Sequence, residues 1–395
     1  MTPRVVVVGA GIAGTVAAIA LRSVGAEVTV HEAHTNPDGD VGSFLGLAVN
    51  GLRGLAALGC LDEVRRRGVE VPRQRVWSGS GALLGDVARG RLADDPMRSV
   101  TIMRAQLVAA LREHAVRAGI TLTTDERLTI ATPDGDGVVA EFSSGRRTRA
   151  DLLVGADGIW SATRGLLDGA APRPRYAGLY TVSGVSEMDG FEPGVFNMTL
   201  GRHGAFMHLP VPDGGVWWAA QVADPREPDR RGVPDSEWQR RVAELYRAEP
   251  VPSRIIAATT RLHRTTVMHS LDPVPTWRND RMVLIGDAAH PVGAGQGASM
   301  AIEDALVLAR CLRDAPSVAR ALADYEAERR PRITKMLKVG ADNRDAKTAG
   351  PVGQWVRNGM MRLVFRFFYE RATGWLYTYD PGFTAEPAAT TEPRS

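Results

Sequence analysis

Gly9-Ala10-Gly11-Ile12-Ala13-Gly14 is a G-x-G-x-x-G run, a residue pattern suited to gripping phosphate with main chain. It follows Arg4-Val5-Val6-Val7-Val8, a continuous apolar run of the kind that forms a strand buried on both faces of a parallel sheet. A helix read from Ile12 to Val24 and a second strand over Ala26 to His31 complete a βαβ opening. Gly9 permits the tight turn, Gly11 lets backbone approach a pyrophosphate, and Gly14, one position past Ala13, lets the helix pack on the sheet. Amides at the helix start face the phosphate charge. Glu32 ends the second strand, where a carboxylate accepts from free ribose hydroxyls and disfavours a 2′-phosphate. The unit predicts a tightly held FAD or NAD rather than NADP.

Two more glycine stretches follow buried-strand text. Asp151-Leu152-Leu153-Val154 runs into Gly155-Ala156-Asp157-Gly158, and then to Ser161 and Arg164. A strand end with two glycines brings backbone close to a ligand, and Asp157 is placed to anchor the loop. Arg164, near a helix start, is read as the partner of an acid. Arg281-Met282-Val283-Leu284-Ile285 leads to Gly286-Asp287, His290, Pro291, Gly293 and Gly295-Gln296-Gly297, with a long helix from about Ala298 to Leu312. His290 suits either a hydrogen-bonded structural role or a catalytic one. Glu303 and Asp304, inside the helix, are read as structural acids.

In this order the three stretches resemble those of the FAD-dependent aromatic hydroxylases, the single-component flavoprotein monooxygenases with the para-hydroxybenzoate hydroxylase fold. The resemblance spans nearly the whole chain. It implies an α/β protein: a Rossmann-like, GR2-type FAD-binding domain, an inserted antiparallel-sheet substrate domain, and C-terminal helices. The FAD-binding domain is expected over 1–72, 97–172 and 270–382. The substrate domain is expected over 73–96 and 173–269, and 383–395 as a disordered tail. Arg104 resembles the arginine that reaches FAD near its ribityl-phosphate region. Asp157-Gly158 resembles the family's DG motif, which touches FAD and influences nicotinamide binding. Asp287 is placed to take hydrogen bonds from the ribityl hydroxyls, while Gly293, Gly295 and Gly297 let backbone lie close to the isoalloxazine. The helix after Gln296 points its positive end toward a ring that is anionic when reduced. Pro291 resembles the proline beside the flavin, and Phe44-Leu45-Gly46 the segment at its edge.

The chain carries one dinucleotide run, so the resemblance implies NADH or NADPH as a transient co-substrate without its own domain. Reduced FAD would then take up O2 as a flavin C4a-hydroperoxide and pass oxygen to an electron-rich carbon, by hydroxylation or epoxidation. The cofactor carries the hard chemistry, and the protein positions substrate and excludes water. Two rivals share the cofactor fold. A flavin-dependent halogenase would carry Gly-Trp-x-Trp-x-Ile-Pro, which Gly215-Val216-Trp217-Trp218 does not match. A reductase of prenyl or other unsaturated substrates would work without oxygen uptake. A non-catalytic flavin-binding partner is the remaining class.

The elements that must position a substrate are less informative. Tyr176 to Val222 alternates in polarity and is broken by turn residues at Gly201–Gly204 and Asp213–Gly215, which predicts an antiparallel meander. Phe206, His208, Trp217, Ala219 and Gln221 occupy period-two positions there, with Trp218 on the alternate set; either set suits the flavin side. A polyketide-like or aromatic substrate fits an aromatic-lined pocket. Further helices are read over Leu52–Arg67 (broken near Gly59), Arg104–Ala118, Ser236–Arg247, Val318–Val339 and Trp355–Thr373. The last carries Met361, Leu363, Val364, Phe365, Phe367 and Phe368 among arginines, and packing on the cofactor domain or a partner subunit is favoured over lying on a membrane.

Composition closes off other classes. The net charge of +3 is small for 395 residues, and the basic residues are dispersed, against a nucleic-acid partner. No apolar run is long enough to span a bilayer. Cys60 and Cys311 have no metal-ligand spacing and read as buried thiols of a cytoplasmic protein, monomeric or homodimeric.

Overall fold

Valine at four successive positions can be fully buried only in a strand flanked on both sides and covered on both faces, and Arg4–Val8 has that place. It is central in a five-stranded sheet ordered Met282–Leu284, Leu152–Gly155, Arg4–Val8, Glu27–His31, Thr121–Thr123. All four pairings are parallel, so strands distant in sequence end at one edge. The structure is a computed structural model that describes residues 2–35, 43–292, 295–347, 360–365 and 367–385. Gly293, Trp355, Arg357, Arg366 and the tail from 386 onward lie outside the described residues.

Helices Ile12–Ser23 and Gly297–Asp314 pack against each other on one face of this sheet. The other face is covered by three antiparallel strands, Leu128–Asp134, Gly137–Phe142 and Arg147–Ala150. Val138, Ala140 and Phe142 share a core there with Val6, Val8 and Leu153.

The second large sheet has seven strands, ordered Thr259–Ser270, Arg175–Glu187, Gly215–Ala223, Gly204–Pro210, Val195–Leu200, Arg73–Ser78, Leu83–Ala88. It is not purely antiparallel, because Val195–Leu200 and Arg73–Ser78 run parallel. The hairpin over 73–88 arrives from an earlier part of the chain and adds to the meander's edge. Helices Asp235–Leu245 and Pro250–Ala257 cover one face, packing on Trp218, Phe206 and Tyr180. The second of these is not anticipated from sequence; Pro250 sits in its first turn, where a missing N–H costs nothing.

The helix from Val318 runs to Lys347, past the expected end, with Pro331 inside it. Near the C-terminus, residues 360–365 are helical and Tyr369–Tyr377 forms a further helix. Met361 and Phe365 pack onto Val76, Leu84 and Leu200 at the second sheet's edge, while Met360, Leu363 and Phe368 stay exposed. Among the described residues no helix is long and apolar enough to cross a membrane, and no acid, histidine and cysteine cluster could hold a metal.

Candidate cofactor and substrate site

All three glycine stretches open onto one cavity of about 920 Å³ between the parallel sheet and the seven-stranded sheet. Gly9 leaves its strand at φ +103°, and a Cβ there would lie 2.5 Å from the Ala156 carbonyl oxygen. At Gly14 a Cβ would lie 1.9 Å from the Gly9 carbonyl oxygen, so this glycine is fixed by helix-to-turn contact. Gly11 differs: nothing lies within 4 Å of the position its Cβ would take, and the residue lines the cavity. The space a side chain would fill is part of the cavity.

Glu32 is buried in the same wall. One carboxylate oxygen accepts from the Ala10 amide at 2.7 Å, the other from the His34 amide at 2.9 Å. It braces the phosphate-type turn as well as facing the cavity. Asp157 accepts from the Ser161 hydroxyl at 2.6 Å and from the Thr163 amide and hydroxyl at 2.9 and 3.0 Å. Ser161 in turn caps the helix Ala162–Leu167 by accepting from the Arg164 amide. Among the described residues Arg164 forms no ion pair with an acid, contrary to the sequence reading, although it feels the charge of Asp157. It donates to the Ala288 and Ile159 carbonyls at 2.9 and 2.7 Å, and so ties the second stretch to the third.

Asp287, just past Gly286, is exposed to the cavity but walled by protein. Desolvation pushes its carboxyl up, against the pull of His290 and Arg104. Arg104 lines the cavity at the start of its own helix, Arg104–Arg117. Gly295, Gln296 and Gly297 also line it. Gln296 is buried, and its side-chain oxygen has no hydrogen-bond partner. An orphaned acceptor beside a helix N-terminus calls for a donor from a ligand.

His290 is 1% exposed and does not line the cavity. Its Nε2 lies 2.6 Å from Asp304, and its ring sits against Trp277. These contacts are those of the hydrogen-bonded, buried histidine in one of the two sequence readings. Asp304 also accepts from the Gly286 amide at 2.9 Å and from Arg329 Nε at 2.8 Å. Desolvation alone would raise its pKa, but His290, Arg329 and these hydrogen bonds together hold the carboxyl far below the usual range. Arg329 and Arg332 both bond Glu303, which also accepts from Asn50. The network clamps the Gly286-Asp287 turn to the helix behind it. Pro291 is half-buried and outside the cavity wall; its neighbour Val292 lines it.

Facing these stretches, the cavity wall comes from the seven-stranded sheet. Register sorts its residues: Phe206 stands opposite Ala220 and His208 opposite Trp218, whereas Met207 stands opposite Ala219 and Ala205 opposite Gln221. Phe206 and His208 thus share a face with Trp218, not with Trp217 and Gln221. That face looks away from the cavity, into the core under the two covering helices. Spacing within one strand does not give the register between strands, and the sequence-level grouping fails there. Met207, Ala219 and Gln221 line the cavity with Thr181, Met198 and Phe196. Trp217 shares their face but stacks behind Phe44, centroids 6.2 Å apart, and does not reach the cavity. Leu45 and Gly46 do line it.

Two contributions are not visible in sequence. Arg89, at the end of the hairpin, lines the cavity beside Gly46, and Phe365, Tyr369 and Tyr377 close it from the C-terminal segment. A conspicuous Tyr-Glu-Arg run signals a helix, but nothing in it says which cavity the tyrosine would meet.

A glycine-rich turn between strand and helix, acids on the cavity wall and a helix N-terminus at the far end are the parts of a flavin dinucleotide-binding protein, and side chains of the second sheet line the rest of the cavity. The sequence model described as "FAD binding domain" matches residues 2–339, and the chain belongs to that family, that of the FAD-dependent aromatic hydroxylases. It is 33% identical over 357 residues to 3-amino-4-hydroxybenzoate 2-monooxygenase PtnB3 of Streptomyces platensis, covering 85% of this chain and 86% of the relative. It is 29% identical over 377 residues to aurachin C monooxygenase/isomerase of Stigmatella aurantiaca, covering 91% and 94%. The crystal structure of Klebsiella pneumoniae HpxO complexed with FAD and uric acid superposes with a TM-score of 0.82 at 26% identity, covering 95% of this chain and 96% of the other.

Proposed function

We propose that the protein is an FAD-dependent monooxygenase that uses NADH or NADPH and O2 to hydroxylate, or epoxidise, a small and largely hydrophobic aromatic molecule. The observation that carries the proposal is the continuity of the cavity: the wall of Gly11, Asp287 and Gln296 and the wall of Met207, Ala219 and Phe196 enclose one space. A flat ring held on the second wall lies against whatever the first wall binds.

Bound FAD supplies reduction by the nicotinamide and transfer of one oxygen atom from O2. The chain's part is to bind, orient and exclude water. In this reading Gly9, Gly11, Ala13 and Gly14 form the pyrophosphate cradle and Glu32 meets the ribose. Arg104, Asp157, Gly158, Gly286 and Asp287 hold the middle of the cofactor. Gln296 and the amides from Gly297 meet the polar edge of the ring, with Gly295 beside it. Met207, Ala219, Gln221, Leu45 and Gly46 face the substrate. Residues 1–72, 97–172 and 270–382 carry the cofactor, and 73–96 and 173–269 most of the substrate wall. Two buried, unpaired cysteines support a reducing, cytoplasmic setting.

The relatives are named monooxygenases, which favours oxygen insertion over the reductase or halogenase chemistry. The test is direct. The purified protein is expected to be yellow, and phenols or hydroxylated heteroaromatics should stimulate both NAD(P)H oxidation and oxygen consumption. A colourless protein that takes up no FAD overturns the reading.

A further inference from the structure

A second cavity, of about 1000 Å³, shares no lining residue with the first among the described residues. It lies between Thr259–Ser270, the edge strand of the seven-stranded sheet, and the segment 227–238 that leads into the helix Asp235–Leu245. Val233, Leu262 and the buried Trp238 give it an apolar floor. Arg230, Arg231, Arg261 and Arg264 stand round that floor, all four exposed. Arg230 is oriented by donating to the Thr265 carbonyl at 3.3 Å. The acids of the wall are Glu227, Asp229 and Asp235. Asp229 accepts two bonds from the Arg231 guanidinium, each at 3.1 Å.

Size, floor and charge together suit a ligand with a flat ring at one end and phosphates beside it. A cavity this large admits a nucleoside diphosphate. Guanidinium groups bind phosphate oxygens in pairs and stack on planar bases, and a carboxylate such as Asp235 accepts from ribose hydroxyls. The cavity also adjoins the flavin site. Consecutive residues of the edge strand, Thr265 and Thr266, line one cavity each, so a single strand divides the two. Further along that strand His269 stands between them. Its Nε2 is 3.7 Å from Glu227 of the second cavity, and its ring meets Trp160 of the first edge-on, centroids 4.9 Å apart. Trp160 is itself exposed, at the rim of the first cavity.

We infer that the second cavity receives the adenosine diphosphate half of the nicotinamide co-substrate, whose other half runs along the strand edge past His269 to the rim at Trp160. The inference rests on the monooxygenase reading, which leaves the nicotinamide without a domain of its own, and gives it a docking place. Arg261 and Arg264 meet the pyrophosphate, and the apolar floor meets the base. Because the arginines are exposed, the ligand is held without being enclosed, as a co-substrate that leaves in every turnover requires.

The test uses the FAD-loaded full chain and two probes that lack the nicotinamide, ADP-ribose and its 2′-phosphate, titrated by calorimetry; the second probe separates NADPH from NADH. The native protein should bind one of them, and Arg261→Glu with Arg264→Glu should weaken that binding roughly 10- to 100-fold. The NADH or NADPH concentration giving half-maximal anaerobic reduction of the flavin should rise by the same factor, with the limiting rate and FAD content unchanged. Arg240→Glu with Arg247→Glu, a charge reversal at surface pairs on and just past the neighbouring helix, should change neither measurement. No binding of either probe, native binding in Arg261→Glu/Arg264→Glu, or an equal loss in the Arg240→Glu/Arg247→Glu control would each overturn the inference. If NAD(P)H reduces the flavin alike in all three proteins, the docking place falls and the monooxygenase reading stands. A flavin that neither nicotinamide reduces in any of them overturns both.

Discussion

Around the glycine stretches the cavity wall is mostly main chain, held from behind by buried charges; across from it the wall is side chains standing on a sheet. In the first region Gly9 and Gly14 touch backbone so closely that no other residue fits, and Asp304 and Arg329 lock the Gly286-Asp287 turn. In the second, Met207, Ala219 and Gln221 line the cavity with side chains from one face of the sheet. The difference separates two jobs. Under the proposed function, a cofactor common to a whole family is gripped by backbone geometry that tolerates little change, while a substrate is met by side chains replaceable one at a time without disturbing the strands below.

The sharpest way to break that comparison is within the first glycine stretch. Gly14→Ala drives a methyl into the Gly9 carbonyl, and should cost more than about 3 kcal/mol, with loss of soluble protein or of its thermal transition. Gly11→Ala puts its methyl into open space, so stability should move by less than about 1 kcal/mol. Its FAD affinity should nevertheless fall roughly 10- to 100-fold, measured by flavin fluorescence during titration. Equal destabilisation of the two variants would mean that Gly11 serves the fold rather than a ligand.

Next in size is the buried network. Arg329→Leu leaves Glu303 and Asp304 with one guanidinium fewer in a site closed to water, and should cost about 3–5 kcal/mol in urea unfolding. The pH dependence carries the same signature. Asp304 has a depressed folded pKa, so its contribution is complete above the unfolded value near 4 and is lost only as pH falls well below it. Arg329→Leu should bring that acid loss to higher pH.

His208 offers a test on the far side of the substrate sheet. Burial pushes its pKa down from 6.5 to about 3. Between those values the unfolded chain binds a proton that the folded chain does not, so stability falls as pH drops through the window, by about 2 kcal/mol at pH 5. His208→Leu should flatten that slope in thermal melts taken from pH 7 to pH 5. An unchanged slope would show that the imidazole is not held neutral.

The smallest expected effect concerns the cavity side of that sheet. Ala219→Leu adds volume on the cavity wall and should change KM for an aromatic substrate by roughly tenfold, leaving the flavin spectrum and the melting temperature near native. A large loss of bound FAD in this variant would erase the distinction between the two walls.

Much of the first region is legible in the sequence because its requirements are local. Gly9 to Gly14 must follow a strand and open a helix, and Asp157 and Asp287 stand just past buried strands, so type and spacing along a short segment carry the information. His290 shows the limit of that reading: its neighbours in sequence leave two roles open, and its contacts with Asp304 and Trp277 are brought in only by folding. Arg164 stands near a helix start, where an acid partner is expected, yet it holds the carbonyls of Ile159 and Ala288, the latter 124 positions away.

The sequence by itself determined a parallel sheet ending in three glycine turns and a dinucleotide as the group the first of them suits; the flavin and the kind of enzyme came from the resemblance of the three stretches, in their order, to a known family. The turns depend on backbone that short runs of glycine, valine and acid specify wherever the rest of the chain goes. Only the tertiary structure decided which face of the second sheet lines the cavity, that Phe206 and His208 turn away from it, and that Arg89 reaches it beside Gly46. Those outcomes hang on register between strands and on where a distant C-terminal segment folds back. Both are set by the packing of the whole chain, and neither leaves a mark in any one stretch of it.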